Sequence, residues 1–308
     1  SQARPNPQMP PRRFILIVND KAGTATARAK LEALRTAHPK FATTSTVAPF
    51  TNLDDVRAAL ANHPTHTPVA VGGDGTVNLV TRINRERSEP HAVIGVIPMG
   101  TGNLLAHELG ISTLESAVAA LLDGNTRSLD IMTTTRQDFP LVLMSISVGF
   151  EADFIRTYDR WRHQVGRPLG VGAGLLRLLG SASLGSRIDL DGDPFLTSAT
   201  PFWNAGLYLM KSFAFGIEAL PDAVPDDGFG EGVLDRGRLK YAAGVTRGRR
   251  YGGDTSAPSG YRRWRHARLE IDGALQIDGE AVAAGAFEVT VERRGLEILS
   301  PPRDPPLP

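Results

Sequence analysis

The sequence predicts an α/β domain built on a parallel sheet, followed by an antiparallel β domain. Up to about residue 129, short apolar runs alternate with helical patterns, which is typical of a parallel sheet layered between helices. After that point, short alternating runs are separated by hairpin-forming pairs such as Asp191-Gly192 and Asp272-Gly273. The length of 308 residues also favours two domains. We therefore expect a disordered leader at 1–12, domains at 13–129 and 130–295, and a tail at 296–308.

The composition of the chain argues against several classes of function. Lys and Arg (34) nearly balance Asp and Glu (33), so the net charge of +1 indicates no general attraction to nucleic acid. The absence of cysteine excludes disulfides, thiolate metal sites and cysteine nucleophiles. The first residues are proline-rich and polar, unlike a secretory signal, and no apolar run approaches the roughly 18 residues that a membrane span needs. We expect a cytoplasmic protein.

The first domain contains apolar runs that predict strands, with helical patterns between them. The strands are predicted at Phe14–Val18, Phe41–Val47, Val69–Val71 and Val93–Pro98, and the helices around Ala29–Leu34, Val56–Leu60, Leu104–Leu109 and Thr113–Leu122. In parallel sheets of this kind, ligands bind at the carboxyl ends of the strands. The turns that follow the predicted strands are therefore the candidate site.

Two of these turns are rich in glycine, Gly72-Gly73-Asp74-Gly75-Thr76 and Gly100-Thr101-Gly102-Asn103. Such turns present backbone N–H groups and the positive end of a helix to an anion, and glycine lets a phosphate approach the backbone. A carboxylate such as Asp74 among those donors makes sense mainly if a divalent cation lies between it and the phosphate. We predict a nucleotide phosphate site with a metal. The alternative is that the glycines only make tight turns and that Asp74 only caps a helix.

The GGDGT and PMGTGN blocks are followed, late in the chain, by Gln276-Ile277-Asp278-Gly279-Glu280. Asn19-x-x-x-Gly23 precedes these blocks, and Ser128-Leu129-Asp130, Gly149-Phe150-Glu151-Ala152-Asp153 and Pro221 to Gly228 lie between PMGTGN and Gln276. This ordered set resembles the diacylglycerol-kinase-type lipid kinases, a family that includes bacterial lipid kinases and the sphingosine and ceramide kinases. The resemblance covers about residues 13–300, and it implies that the second domain is a β-sandwich.

The resemblance implies an ATP- and Mg²⁺-dependent kinase that passes the γ-phosphoryl group to a lipid hydroxyl, with diacylglycerol converted to phosphatidic acid as the first choice. Glu280 would take the hydroxyl proton and Asp278 would assist or orient it, in a cleft between the domains. Asp278-Gly279 also has the composition of a simple hairpin turn. The implied nucleotide-binding residues are Asn19, Asp20, Lys21, Ala22, Gly23, Thr46, Gly72, Gly73, Asp74, Gly75, Thr76, Asn78, Gly100, Thr101 and Asn103.

Two places are candidates for a metal. Asp74 and Asp130 are the candidates for holding Mg²⁺ at the nucleotide, directly or through water. The resemblance also implies a structural Mg²⁺ at the acidic loop before Gly228, bound by Asp227 and by main-chain oxygens near Val224 and Phe229. A solvated acidic turn is the alternative there, and the sequence does not decide between the two.

Two basic segments are candidates for contact with an anionic membrane surface, where a lipid kinase must meet its substrate. One flanks the apolar stretch 169–179, and the other is interleaved with aromatic residues. Their members are Arg156, Arg160, Arg162, His163 and Arg167, and Arg247, Arg249, Arg250, Arg262, Arg263 and Arg265. For the first segment, a solvated face with Leu175, Leu176 and Leu179 in the core is the favoured interpretation. Peripheral attachment to the inner membrane face and a homodimer are further expectations.

Two positions depart from the family pattern. GGDGT-x-N is usually followed by Glu, where this chain has Leu79, and GTGN is often followed by Asp, where it has Leu104. These changes remove negative charge near the phosphates, so a sphingoid base or another lipid alcohol is the alternative acceptor. An NAD kinase is a less favoured enzyme class. A nucleotide-binding regulator without catalysis is the alternative of another class.

Overall fold

The computed structural model describes residues 12–19, 24–87, 93–165, 171–172, 174–176, 180, 182–213, 217–247 and 260–302. By their internal contacts they form two compact units. The first unit consists of the residues up to Arg127 together with those from Glu297 onwards, and the second consists of Ser128–Leu296. None of the helices in the described part of the chain has the length and apolarity that crossing a bilayer requires.

The first unit is a parallel sheet with helices. Its strands are β1 (Phe14–Asn19), β2 (Ser45–Phe50), β3 (Thr67–Gly72) and β4 (Gly95–Pro98), and its helices are α1 (Thr24–Ala37), α2 (Pro39–Thr44), α3 (Leu53–Asn62), α4 (Asp74–Arg85), α5 (Leu104–Glu108) and α6 (Leu114–Asp123). The strand order is β2-β1-β3-β4, and every registered pair is parallel. Because the strands run in one direction, their carboxyl ends meet at one edge. The turns after β3 and β4 lie at this edge.

One predicted strand was wrong at its start. Residues 41–44 belong to α2, which has Pro39 in its first turn, and β2 begins only at Ser45. Proline favours the first turn of a helix, and the fully buried ring of Phe41 lies 6.3 Å from that of Phe14. The alternation that suggested a strand is therefore one helical turn with its apolar residue in the core.

The sheet of the first unit receives a late segment of the chain. Ile94, just before β4, forms a parallel bridge with Ile298. The Ile94 N–H donates to Glu297 O at 3.0 Å, and the Leu299 N–H donates to Ile94 O at 2.8 Å. Ile298, Leu299 and Ser300 are completely buried. Residues 297–300 are therefore an integral part of the first unit.

The second unit is antiparallel. Its strands are β5 (Thr126–Thr134), β6 (Leu141–Val142), β7 (Ser145–Gly149), β8 (Arg187–Leu190), β9 (Asp193–Leu196), β10 (Asn204–Tyr208), β11 (Ser212–Phe213), β12 (Ile217–Glu218), β13 (Gly230–Asp235), β14 (Tyr261–Trp264), β15 (His266–Ile271), β16 (Leu275–Ile277), β17 (Glu280–Val282) and β18 (Gly285–Leu299), with helices α7 (Phe150–Val165) and α8 (Arg238–Arg247). One sheet has the order β14-β13-β10-β7-β16-β17 and the other β6-β5-β18-β15-β8-β9, while β11 and β12 form a small hairpin.

The two large sheets of the second unit pack face to face. A Cβ atom placed on Gly232 of β13 would lie 2.9 Å from Cδ1 of Leu190 in β8, so the two strands are in close contact across the layer. Inward residues such as Leu207 and Leu269 are almost completely buried. The predicted combination of an α/β domain and an antiparallel sandwich is confirmed.

The stretch after α7 corrects a second expectation. Leu175 is 49% exposed and Leu176 is 65% exposed, so the interpretation that placed them in the core was wrong. Leu179 lies outside the described residues. Gly174 lies against the ring of Phe154 in α7, because a Cβ atom there would be 2.6 Å from the ring. The segment thus rests on α7 through its glycine and presents these two leucines to solvent.

Candidate active site

The two glycine-rich turns of the first unit are in direct backbone contact. A Cβ atom placed on Gly100 would lie 2.3 Å from the Cα of Gly73 and 2.9 Å from its nitrogen. The reverse substitution would place a Cβ atom of residue 73 at 3.1 Å from the Cα of Gly100. Side chains at either position would therefore separate the turns. The sequence predicts that the two turns form one phosphate site. In the structure they lie side by side.

Asp74 connects the turns through its carboxylate. Its Oδ2 accepts from the Leu104 N–H at 3.1 Å, and its Oδ1 accepts from the Leu105 N–H at 3.2 Å. These are the first two residues of α5, so Asp74 caps a helix that begins 30 residues later in the chain. Burial raises the pKa of Asp74 above its usual range, and the N–H groups of Leu105 and Leu104 counteract that rise. Asp74 therefore caps a helix, as the alternative interpretation predicts, and its hydrogen bonds connect the two turns.

Asn103 shapes the second turn. Its backbone is left-handed, with φ 50° and ψ 40°, which asparagine tolerates better than most residues. Its Oδ1 accepts from the Gly100 N–H at 2.9 Å, and its Nδ2 donates to Gly100 O at 3.0 Å. Both ends of the amide are therefore engaged within the turn, and Asn103 acts on the site mainly by fixing the backbone.

The other predicted nucleotide-binding residues, apart from Thr46, fall into four groups. Gly75 and Thr101 are exposed at the turns, where a ligand could reach them. Thr76 is buried against Gly72, and a Cβ atom on that glycine would lie 2.4 Å from Oγ1 of the threonine. Asn19 at the end of β1 and Asn78 in α4 are half-buried, and both have polar or electrostatic contacts. Asp20, Lys21, Ala22 and Gly23 lie outside the described residues.

Thr46 was the wrong threonine. It pairs with Ile15 near the amino end of the sheet, whereas Asn19 at the carboxyl end pairs with Phe50. Four residues of strand separate Thr46 from that edge, which is roughly 13 Å. Thr51 follows Phe50 directly and lies at the correct edge, with its Oγ1 hydrogen-bonded to Asp55 at 2.9 Å. The error arose because the second strand was predicted to begin at Phe41. With α2 ending at Thr44, the strand runs from Ser45 to Phe50, and the threonine at its carboxyl end is Thr51.

In the second unit, Asp278 and Gly279 form the predicted hairpin turn between β16 and β17. Both have positive φ, 48° and 81°, which is the geometry of a type I′ turn. The Asp278 carboxylate accepts from three backbone N–H groups, those of Leu143 (2.8 Å), Met144 (2.8 Å) and Ser145 (3.1 Å). Asp278 thus fixes the neighbouring 143–145 segment. Glu280 opens β17 and is exposed, so its carboxylate is accessible.

Asp130, in β5, lies against the acidic loop of the second unit. It is 1% exposed, and its carboxylate accepts from the Gly228 N–H at 2.6 Å and the Arg294 N–H at 2.7 Å. Burial raises its pKa, with the backbone donors opposing and the neighbouring carboxylates adding to the rise. The structure places Asp130 beside this loop, and its buried carboxylate oxygens accept hydrogen bonds from backbone N–H groups. This arrangement does not suit direct coordination of a nucleotide-bound cation.

The acidic loop itself offers a poor cation site. Oδ1 of Asp227 accepts from the Phe229 N–H at 3.0 Å, and Oδ2 is hydrogen-bonded to Arg263. Val224 is exposed at one side of the loop. Within the described ranges, no group of three or more His, Cys, Asp or Glu side chains could hold a metal. The residues present therefore do not fit the structural Mg²⁺ that the resemblance implied.

Comparison with known proteins shows which proteins the chain is similar to. Residues 13–134 match the diacylglycerol kinase catalytic domain. A probable lipid kinase YegS-like protein of Pseudomonas aeruginosa (strain UCBPP-PA14) is 28% identical over 261 residues, 77% of this chain and 80% of that protein. A diacylglycerol kinase of Staphylococcus aureus (strain JH9) is 29% identical over 165 residues, 52% of this chain and 50% of that protein. The chain thus aligns with about half the length of the staphylococcal relative.

The fold is shared with a solved structure. The crystal structure of a diacylglycerol kinase from Bacillus anthracis str. Sterne has a TM-score of 0.69 to this chain at 17% identity, covering 96% of this chain and 99% of that one. At this identity the likeness concerns the fold alone. The catalytic-domain match and the lipid kinase relatives confirm the resemblance and the enzyme class. Residues 13–134 thus match the diacylglycerol kinase catalytic domain, and the chain is similar to lipid kinases of the diacylglycerol kinase type.

Proposed function

We propose that this chain transfers the γ-phosphoryl group of Mg²⁺·ATP to the hydroxyl of a membrane lipid, with diacylglycerol as the first substrate and phosphatidic acid as the product. The observation that carries this proposal is the contact between the two glycine-rich turns, because Gly73 and Gly100 leave a backbone surface without side chains beside the start of α4. Phosphoryl transfer is catalysed mainly by positioning and charge stabilisation, for which such a surface is suited. The name of the staphylococcal relative supports diacylglycerol.

The nucleotide phosphates would lie on the exposed part of the turns. α4 is a 12-residue helix, and its amino end directs backbone N–H groups and partial positive charge toward an anion. Gly75 and Thr101 are exposed there, and Thr51 and Asn19 end the adjacent strands at the same edge. These residues replace Thr46 in our assignment of the ATP site.

Asp74 is the residue that would hold Mg²⁺, through water. Each of its carboxylate oxygens accepts one backbone N–H and retains a second lone pair, and burial disfavours its charge unless a cation is near. When bound, Mg²⁺ neutralises charge on the transferred phosphoryl group. Asp130 is not part of this assignment, since its oxygens are buried within the acidic loop.

Glu280 would accept the proton of the lipid hydroxyl. It is exposed at the start of β17, directly after a turn that is held rigidly by the three N–H groups bound to Asp278. A rigid turn favours a defined position for the adjacent carboxylate. Asp278 is thus a positioning residue, and Glu280 is the group that meets the substrate.

The lipid would be reached at a membrane surface through the segment after α7. Trp161 in α7 is 43% exposed, Leu175 and Leu176 are also exposed, and α7 carries the exposed Arg156 and Arg160. Apolar side chains beside arginines favour contact with an anionic bilayer. Peripheral attachment to the inner face of the cytoplasmic membrane follows as part of this proposal.

The kinase assay uses mixed micelles with diacylglycerol, Mg²⁺ and labelled ATP. We expect Glu280→Gln to reduce kcat at least about 100-fold, which is the usual contribution of a general base. Glu270→Gln is the matched control, because Glu270 is an exposed glutamate on β15 of the same unit. A full rate in Glu280→Gln would refute the base assignment.

The same assay discriminates the acceptors and the regulator. Phosphorylation of a sphingoid base in preference to diacylglycerol would favour the alternative substrate class, for which Leu79 and Leu104 are the motivation. ATP binding without phosphorylation of any lipid in a total extract would favour the regulator. The homodimer stays a prediction, to be checked by light scattering of the purified chain.

Membrane contact is tested by sedimentation with phosphatidylglycerol-containing vesicles. We expect the double substitution Leu175→Ser and Leu176→Ser to lower the bound fraction several-fold, because about 0.8 kcal/mol is lost per CH₂ removed from the bilayer. Leu53→Ser is the control, since Leu53 is an exposed leucine on α3 of the first unit. Equal binding of both variants would contradict this surface.

A further inference from the structure

We propose that the guanidinium of Arg263 takes the place of a divalent cation in the acidic loop, here defined as residues 221–229. The loop carries Asp222, Asp226 and Asp227, and the buried carboxylate of Asp130 lies against it. These carboxylates repel one another unless a cation lies among them. The described contacts supply that cation from the chain. This inference is independent of the proposed function, because it concerns how the loop is held together.

Arg263 reaches the loop from β14. It is the register partner of Glu231 in β13, so the antiparallel pairing fixes where its side chain begins. Its Nη2 donates to Oδ2 of Asp227, and its Nε lies 3.6 Å from Oε1 of Glu231. One guanidinium therefore bridges two carboxylates, one in the loop and one in the adjacent strand.

The guanidinium is held in this orientation by an aromatic ring. Its Cζ lies 4.2 Å from the centre of the Phe229 ring, and the guanidinium of Arg265 also lies 4.2 Å from that centre. Arginine stacks well on aromatic faces, which reduces the conformational freedom that an ion pair must otherwise restrict. Phe229, whose main-chain oxygen was a candidate metal ligand, thus supports the arginine through its ring.

Glu231 explains why a positive charge is needed at this point. It is only 5% exposed, and its Oε2 accepts from the Tyr261 hydroxyl. A buried carboxylate that loses its charged partner is strongly destabilising. Arg263 neutralises Glu231 and Asp227 together. A small hydrated cation bound at the loop would do the same only if it reached both carboxylates.

Two main-chain oxygens of the loop accept hydrogen bonds from protein donors. Pro225 O accepts from the Asp130 N–H at 2.7 Å, and Asp226 O accepts from Nε of Arg293 at 3.4 Å. Both oxygens of Asp130 accept backbone N–H groups. Mg²⁺ prefers six oxygen ligands and Ca²⁺ six to eight. The loop therefore closes on protein donors, and we expect it to form without metal.

The test is thermal unfolding of the full chain without nucleotide, in EDTA and in excess Mg²⁺ or Ca²⁺. We expect the wild-type Tm to be the same in all three within about 1 °C, and Arg263→Gln to lower the Tm in EDTA by roughly 5 °C. Arg262→Gln is the matched control, since Arg262 precedes Arg263 on β14 and donates to Asp193 O at 3.4 Å. In Arg263→Gln the carboxylates lack their cation, so we expect Mg²⁺ or Ca²⁺ to raise its Tm.

A second variant assigns any cation effect to the loop. A rise of the wild-type Tm with Mg²⁺ or Ca²⁺ that Asp227→Asn abolishes would overturn the proposal. A Tm of Arg263→Gln equal to that of Arg262→Gln would also overturn it. If Arg263→Gln does not fold, Mn²⁺ titration of the wild type followed by electron paramagnetic resonance decides. We expect the wild type and Asp227→Asn to bind equal amounts of Mn²⁺, and the loss of one bound ion in Asp227→Asn would refute the inference.

Discussion

The contact between the two glycine-rich turns can be tested by adding one methyl group. In Gly100→Ala, the new Cβ would lie 2.3 Å from the Cα of Gly73 and 2.9 Å from its nitrogen. Non-bonded carbon atoms prefer about 3.5–4.0 Å, so the turns must separate by more than about 1 Å. Neither contact is with a flexible side chain. The backbone itself must move.

The geometry gives a graded expectation. Overpacking of this kind costs about 1–3 kcal/mol, and near 2 kcal/mol the first thermal transition should fall by about 4–8 °C. Gly73→Ala should cost less, because its Cβ would lie 3.1 Å from the Cα of Gly100. Gly172→Ala should leave the Tm within about 1 °C, since no atom of the described residues lies within 4 Å of its added Cβ.

The measurement is differential scanning calorimetry without nucleotide, which separates packing from ligand binding. The expected order of Tm is Gly172→Ala, then Gly73→Ala, then Gly100→Ala. If Gly100→Ala unfolded at the same temperature as Gly172→Ala, the two turns could not be in the described contact. The backbone surface proposed for the phosphates would then lose its basis.

Three further predictions concern single side chains. Asp74→Asn turns an amide N–H toward the Leu104 N–H, so we expect a Tm a few degrees lower by calorimetry without nucleotide, and an unchanged Tm would contradict the bridge between the turns. Thr51→Val should raise the KM for ATP about fivefold, as expected for the loss of one hydrogen bond, whereas Thr46→Val should leave the KM unchanged. The reverse result would restore the assignment of Thr46 to the nucleotide site. Burial raises the pKa of Glu231 above the ordinary 4.5, so its contribution to stability falls as pH rises through that window. The unfolding free energy of wild type minus Glu231→Gln, from urea titrations, should therefore decrease as the pH rises above 4.5, and a constant difference would exclude the raised pKa.

The sequence predicts best where local composition determines the structure. Gly73 and Gly100 end apolar strands, and Asp278-Gly279 forms the hairpin that such a pair favours. These features depend on residues adjacent in the chain. Both the edge of the sheet that carries the candidate site and the turn before Glu280 could therefore be placed without a structure.

What the sequence could not predict depends on partners distant in the chain. The carboxylate of Asp74 caps a helix 30 residues later, and Arg263 reaches Asp227 only because β13 and β14 pair in a particular register. Thr46 was assigned to the site because residues 41–47 were predicted as a strand, whereas residues 41–44 belong to α2 and Phe41 is buried in the core. In each case tertiary packing decides what a local pattern leaves open.

The integration of residues 297–300 into the first unit has a practical consequence for protein fragments. The segment that matches the catalytic domain ends at residue 134, yet the backbone of Ile94 is hydrogen-bonded to Glu297 and Leu299. A recombinant piece truncated at that point would expose unpaired N–H and C=O groups beside β4, a template for self-association. Supplying a synthetic peptide of residues 295–302 in trans should restore a monodisperse species, so residues 297–300 are as much a part of the first unit as its first strand.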